Sequence, residues 1–148
     1  MIGLKQLNEA VNVLVMKAAD ASGTGTELVE EDLSRPILRP SVKVALEPGS
    51  DARMTDGAVE RSATFRIYFF ARDKDRPKAD NLAMREALGA AFLDGISVGD
   101  GWLPIDEGLS FDVVDGVLTA SLDLNWTDEI PETGEYMEEL NLEMEGTL

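Results

Sequence analysis

The sequence predicts an α+β domain: an antiparallel or mixed sheet of about four to five strands, two helices packed on one face, and an extended acidic C-terminal segment. Three observations carry this reading. Two stretches repeat apolar residues at every third or fourth position, others alternate them strictly, and one alternating pair is joined by Asp115-Gly116, the residues of a two-residue hairpin turn. With 148 residues and 44% hydrophobic content the chain is long enough for one core. We divide it into a single α+β domain over residues 1–126 and an acidic arm over 127–148.

Leu4, Leu7, Val11, Leu14 and Ala18 step by three and four, with Lys5, Asn8, Glu9, Asn12 and Lys17 around the rest of the wheel. This spacing predicts an amphipathic helix of about four turns. Gly23-x-Gly25 follows that helix and lacks a Gly-Lys pair, so it reads as a flexible loop and not as a phosphate cradle. In "ILRPSVKVALE", Leu38, Val42, Val44 and Leu46 face one way while Arg39, Ser41 and Lys43 face the other. Pro40 has no N–H to give a ladder, so this strand starts late or lies at an edge. The following "PGSDARMTDG" looks superficially like a calcium loop, but Arg53 takes the third ligand position, Asp56 replaces the required glycine and Ser62 replaces the bidentate glutamate. Small, polar and without core periodicity, Asp51–Gly57 is expected to be a loop projecting from the sheet, with Asp51, Arg53, Met54 and Asp56 as its working residues.

Ala63, Phe65, Ile67, Phe69 and Ala71 then alternate with Thr64, Arg66, Tyr68, Phe70 and Arg72. The first set is core. The second places two aromatic rings beside two cations, more aromatic than a solvent face needs, and points to an interface or a covering helix. A turn of alternating charge from Arg72 to Lys78 leads to Asp80, the expected N-cap of a helix with Met84, Leu88, Ala91 and Phe92 on one face and Gly95 at its end. A helix start beside Arg72, Lys74, Arg76 and Lys78 can attract an anion. However, Asp73, Asp75 and Asp80 offset that field and no glycine-rich turn is present, so the stretch reads as a solvated connection. "GWLPIDEG" supplies a short strand or turn with Trp102 in the core. Asp115-Gly116 sets Val114 opposite Val117; Leu109, Phe111 and Val113 then face Leu122, Ala120 and Leu118, while Ser110 and Asp112 face Ser121 and Thr119.

The net charge of -16 is unevenly spread. All thirteen Lys and Arg lie between Lys5 and Arg85, alongside thirteen acids; residues 86–148 hold sixteen acids and no Lys or Arg. The stretch from Asp128 onward fits either a solvated tail or a docking segment. Favouring docking, Leu140, Leu142 and Met144 alternate with Asn141, Glu143 and Glu145, as in an edge strand awaiting a partner.

Chemistry is sparse. Without cysteine there are no disulfides, thiolate nucleophiles or Cys-bound zinc; without histidine there are no triads, His-bound metals or imidazole shuttles. Asp106 and Glu107 diverge as neighbours, Asp112 lies on a polar face and Asp115 serves its turn, so no carboxylate pair has a reason for separated pKa values. No catalytic residue, cofactor or metal is expected. The apolar stretches fall short of the ~20 residues of a membrane helix. "AVNVLVMKAADA" is interrupted by Asn12 and Lys17 and reads as part of the first helix and not as a secretion signal, so a bacterial-type cytoplasm is the expected compartment.

The order of patterns, an amphipathic helix, "LRPSVKVAL", a loop, "RSATFRIYFFA", "NLAMREALGAAF" and "FDVVDGVLTASLDLNW", resembles the tail terminator proteins of long-tailed bacteriophages and phage-like particles over residues 4–126. The resemblance implies a structural, non-enzymatic subunit of a hexameric ring that caps the head-proximal end of the tail tube, stops its polymerisation and offers a docking surface to the head connector. Implied partners are copies of itself, the tail tube protein, the sheath protein of a contractile tail and the head-tail connector protein. DNA would pass through the ring without being specifically bound. The implied location is the virion tail, assembled in the bacterial host cytoplasm. An acidic subunit suits such a bore, since Lys and Arg there would hold phosphates and retard DNA.

Neighbours in a ring meet through two different surfaces. The charge split therefore places a subunit or partner interface at Arg66, Tyr68, Phe70, Arg72, Lys74 and Arg76 on one side and at Glu135, Glu138, Glu139, Leu140, Leu142 and Met144 on the other. A different class of reading is a cytosolic adaptor or regulatory domain that binds a protein through its acidic arm. A carboxylate/magnesium enzyme ranks last.

Overall fold

The computed structural model of the chain describes residues 2–29, 38–55 and 57–129. The first helix, α1, runs from Leu4 to Ser22, about one turn longer than its sequence period suggested. It buries Leu7, Val11, Val15, Ala18 and Ala19, whereas Leu4 and Leu14 lie only half-buried on the flanks of that stripe. Gly23 ends it in the left-handed region at φ 70°, donating its N–H to the Asp20 carbonyl at 3.4 Å. The next residues are better held than a flexible loop. Thr24 and Thr26 are buried, and the hydroxyls of Ser22, Thr24 and Thr26 form a hydrogen-bonded chain.

Strand β1 (Glu27–Val29) lies parallel to β2 (Ser41–Glu47), which starts directly after Pro40 as the missing N–H demands. On its other side β2 pairs antiparallel with β4 (Ala58–Phe70), so it is an interior strand over Ser41–Lys43 and not an edge. The segment between them is not the expected loop. Asp51–Thr55 forms a strand, β3, antiparallel to the start of β4, with a register shift between Arg53 and Thr55. All its residues are exposed, so no alternation betrays it, and it lies along β4 on the side opposite β8. Asp56, at the turn, lies outside the described residues.

Helix α2 (Lys78–Ala91) is followed by two short strands, β5 (Ile96–Val98) and β6 (Gly101–Leu103), which pair with each other apart from the main sheet. β7 (Leu109–Val114) and β8 (Val117–Glu129) then complete that sheet in the order β1-β2-β4-β8-β7, with β3 beside β4. The main sheet is mixed and has six strands, more than the four to five expected. β8 continues past residue 126, pairing Thr127, Asp128 and Glu129 with Glu60, Val59 and Ala58. The expected arm residues from 130 onward lie outside the described residues.

The β7–β8 register is the one the Asp115-Gly116 turn requires, Val114 opposite Val117 and Leu109 opposite Leu122. β4 and β8 share twelve paired positions and form the spine of the molecule. Rows of side chains cross the sheet, for example Leu46, Phe65, Leu122 and Leu109, then Val44, Ile67, Ala120 and Phe111. Against this face pack α1 and α2, the latter through Met84 and Leu88, with Phe92 buried just beyond its end. Fully burying one such side chain contributes about 2 kcal/mol, against about 0–1 kcal/mol for an exposed ion pair, so these rows and not the charged turn hold the sheet together.

Two expectations fail on local geometry. Trp102 is 58% exposed and Leu103 takes the core position, because a three-residue strand turns only one side inward. Its indole N–H donates to the Asp94 carbonyl at 2.8 Å, and the ring lies where a Cβ on Gly95 would collide with it. Asp80 is not the N-cap of α2. That position belongs to Pro77, and Asp80 sits in the first turn facing Arg72. Gly95 lies beyond the end of α2, in the turn before β5, its N–H bonded to the Phe92 carbonyl.

Candidate functional site

The helices cover one face of the sheet, and among the described residues nothing covers the other. On the open face each row pairs β2, β4, β8 and β7: Lys43, Tyr68, Thr119 and Asp112 form one row, and Ala45, Arg66, Ser121 and Ser110 the next. Tyr68 and Phe70 are half-buried there, and among the described residues no helix covers them. Arg39 holds its guanidinium 5.7 Å from the Phe70 ring and donates to the Ala71 carbonyl at 3.1 Å. Arg66 donates from Nε to Glu47 Oε1 at 2.8 Å, so this cation already has a carboxylate in its own chain.

The charged turn after β4 is ordered by its own acids. Arg72 gives Asp80 three bonds, from its backbone N–H at 3.2 Å, from Nε at 3.0 Å and from an Nη at 2.8 Å. The side-chain bond from Arg72 holds the Asp80 carboxyl below its usual range, and the reciprocal bond raises the Arg72 guanidinium. Asp80 therefore occupies the start of α2 that an anion would need, which leaves no room for the phosphate reading. Asp73 accepts the Asp75 N–H at 2.9 Å and closes the turn. Lys74, Arg76 and Lys78 stay exposed, and among the described residues they have no ion-pair partner.

At the opposite end, the β3–β4 ribbon is anchored by a cluster that the sequence expectations missed. Arg61 donates to Asp51 at 2.9 Å, to the Ile2 carbonyl at 2.5 Å and to Asp128 at 3.3 Å, and lies 5.5 Å from the Trp126 ring. Asp128 in turn accepts the Ile2 N–H at 3.3 Å and the Trp126 indole N–H at 3.2 Å. The bond to Asp51 raises the Arg61 guanidinium above its ordinary value, with burial opposing it. The side chains of Arg61 and Asp128 are only 11% and 8% exposed. A signal existed: Asp128 continues the inward series Leu122, Leu124, Trp126, and Arg61 precedes the inward series Ala63, Phe65. A charge at an inward position calls for a buried partner.

The expected site residues thus divide into three groups. Arg66, Tyr68 and Phe70 share the open face; Arg72, Lys74 and Arg76 gather beside the start of α2; Asp51, Arg53 and Met54 lie on the ribbon. Asp51 is engaged by Arg61, and Met54 accepts a long contact of 3.8 Å from the Thr127 hydroxyl. Asp56 and the arm residues Glu135, Glu138, Glu139, Leu140, Leu142 and Met144 lie outside the described residues. Among the described residues no group of three acids is placed to hold a metal ion.

Compared with protein-family models, the chain matches that of a phage tail terminator protein over residues 11–136. The chain belongs to the phage tail terminator family. No curated protein matches it. This tail terminator is accordingly a structural component of a virion tail, and among its described residues no helix is long and apolar enough to cross a membrane.

Proposed function

We propose that this tail terminator works as one subunit of a closed hexameric ring on the head-proximal end of the tail tube, where it stops polymerisation and receives the head-tail connector. The observation that carries the proposal is family membership across residues 11–136. The fold supports it: the main sheet ends in two unlike strands, β1 and β7, and a ring closes through two unlike surfaces of each subunit. The uncovered face with Arg66, Tyr68 and Phe70 serves a neighbour or a tail partner, and the β3–β4 ribbon with Arg53 and Met54 reaches into the lumen or onto the adjoining ring. DNA passes an acidic wall that does not hold it.

Exposed charge pairs contribute only about 0–1 kcal/mol each and are screened over about 8 Å at physiological salt, so assembly depends on several together and weakens as salt rises. The test mixes the purified chain with the tail tube protein and examines both by size-exclusion chromatography and negative-stain imaging. Rings, or tubes capped at one end and limited in length, are expected. A persistent monomer that leaves tube length unchanged overturns the proposal and favours the adaptor reading.

A further inference from the structure

We propose that the free edge of β7, with the groove between it and α2, is the docking site for an extended segment of another tail protein in which apolar residues alternate with Lys or Arg. The inference rests on the chain being a tail component that meets other tail proteins, and it names the chemistry of one such contact.

β7 is the last strand of the main sheet on its side. In a two-residue hairpin the pair flanking the turn, here Val114 and Val117, exchanges hydrogen bonds, so Ser110, Asp112 and Val114 bond β8 while Leu109, Phe111 and Val113 turn their N–H and C=O groups outward. One of these outward donors has a local substitute for a strand. The Val113 N–H donates to the carboxylate of its own neighbour, Asp112 Oδ1, at 2.9 Å. The N–H groups of Leu109 and Phe111 have no backbone partner among the described residues. Such a row is a template for one more strand.

An added strand sends alternate side chains to the two faces of the sheet. On the helix side it meets a groove of about 420 Å³ floored by Phe92, Ile105, Leu109 and Phe111, with Leu93 79% exposed on its lining and Val113 53% exposed further along the same face of β7. These positions take apolar residues. On the open side the strand passes Ser110 and Asp112, and there charge decides. Asp106 and Glu107 stand in the groove just before Leu109; Arg85, the cation lining it, is turned in over the Phe111 ring at 4.5 Å and lies 3.9 Å from Glu86. The hairpin tip, tied to α2 by the Asn81 bond to the Gly116 carbonyl, favours neither sign, because Lys74, Arg76 and Lys78 stand there with Asp73, Asp75 and Asp115. Along the edge itself, Asp106, Glu107 and Asp112 have no ion-pair partner among the described residues. A strand with Lys or Arg beside them is favoured, and one with acids there is opposed. That counts against the chain's own C-terminal pattern, in which Glu139, Glu143 and Glu145 share one side and Leu140, Leu142 and Met144 the other.

The probe is a capped peptide of alternating Val and Lys, as long as β7, titrated into the full-length chain while amide hydrogen exchange is followed by NMR. Saturable binding that slows exchange at Leu109 and Phe111 and weakens with salt is expected. Glu in place of Lys in the peptide should weaken binding about tenfold, and Asp106→Lys with Glu107→Lys in the chain should reverse that order. A Val-Lys peptide with a central Pro for Val keeps the charge but pairs poorly along an edge; if it binds as well as the first, the effect is general attraction to an acidic chain and the dock is overturned. Leu109 and Phe111 amides that are protected in the free chain and released by truncation after Glu129 would give the edge to the chain's own arm. Protection that grows with protein concentration alone would give it to a second copy. Either result overturns the assignment to another protein. No peptide binding beside normal rings or capped tubes overturns the dock and leaves the terminator function standing, whereas binding without rings or capped tubes keeps the dock and overturns the proposed ring.

Discussion

Arg61 and Arg72, near the two ends of β4, both hold aspartates through bonds of 2.8–3.3 Å, yet only Arg61 has a partner, Asp128, that is as shielded from water as itself. Arg61 joins segments remote in sequence, residue 2, β3 and the end of β8, and of its two carboxylate partners Asp128 is closed in while Asp51 is open to water. Arg72 joins a strand to the helix eight residues on, with its side chain 58% exposed and water ready to replace Asp80. Bond lengths alone would rank the exposed pair first. Burial reverses the order, because an unpaired charge in a closed site cannot rehydrate.

Asp128→Ala should break the comparison at its strong end. It leaves Arg61, the Ile2 N–H and the Trp126 indole short of an acceptor, at a cost of about 3 kcal/mol, or roughly 10 °C in Tm, measured by thermal unfolding. A loss indistinguishable from that of Arg72→Ala would show that the cluster is effectively solvated. Asp51→Ala tests the intermediate case, since Asp51 bonds Arg61 from a largely exposed position; about 1 kcal/mol or less is expected in denaturant titration with an unchanged m-value.

The smallest effect is expected from Arg72→Ala, and its sign with pH sharpens the contrast. Arg72 holds the Asp80 carboxyl below its ordinary value of 3.8, so the folded state takes up this proton later than the unfolded chain. The pair's contribution is therefore fully present above the ordinary carboxylate range and is lost as pH falls through the lowered folded value. Tm of wild type and of Arg72→Ala, followed from neutral to acidic pH, should converge in that window and also under high salt. A gap that persists in acid would assign the effect to packing of the arginine stem.

Much of the fold was legible because apolar periodicity is a local property. Two-residue alternation identified the inward faces of β4, β7 and β8, and Asp115-Gly116 fixed a hairpin register correct at every pair. What period and turn chemistry do not encode is which distant strands meet. The long β4–β8 ladder and the parallel β1–β2 pair depend on closures across many residues. β3 was missed because both its faces meet solvent, which leaves no pattern to read. At the charged turn, residue type suggested a cap, whereas a guanidinium within reach bound Asp80 more strongly than an open helix N–H does. The paired charges Arg61 and Asp128 stood in plain view as polar residues at inward positions, but their being partners required the register of β4 on β8.

The long ladder between β4 and β8 also has a mechanical meaning. β8 begins at the hairpin tip and ends where the arm departs, so tension between those two points runs along the strand axis. Gripped at both points, β8 carries the load through its own backbone, which at about 3.3 Å per residue is already near full extension and so passes the pull on with little give. The ladder to β4 then serves to keep that tie straight, and only a second grip on β4 would shear the rungs between them.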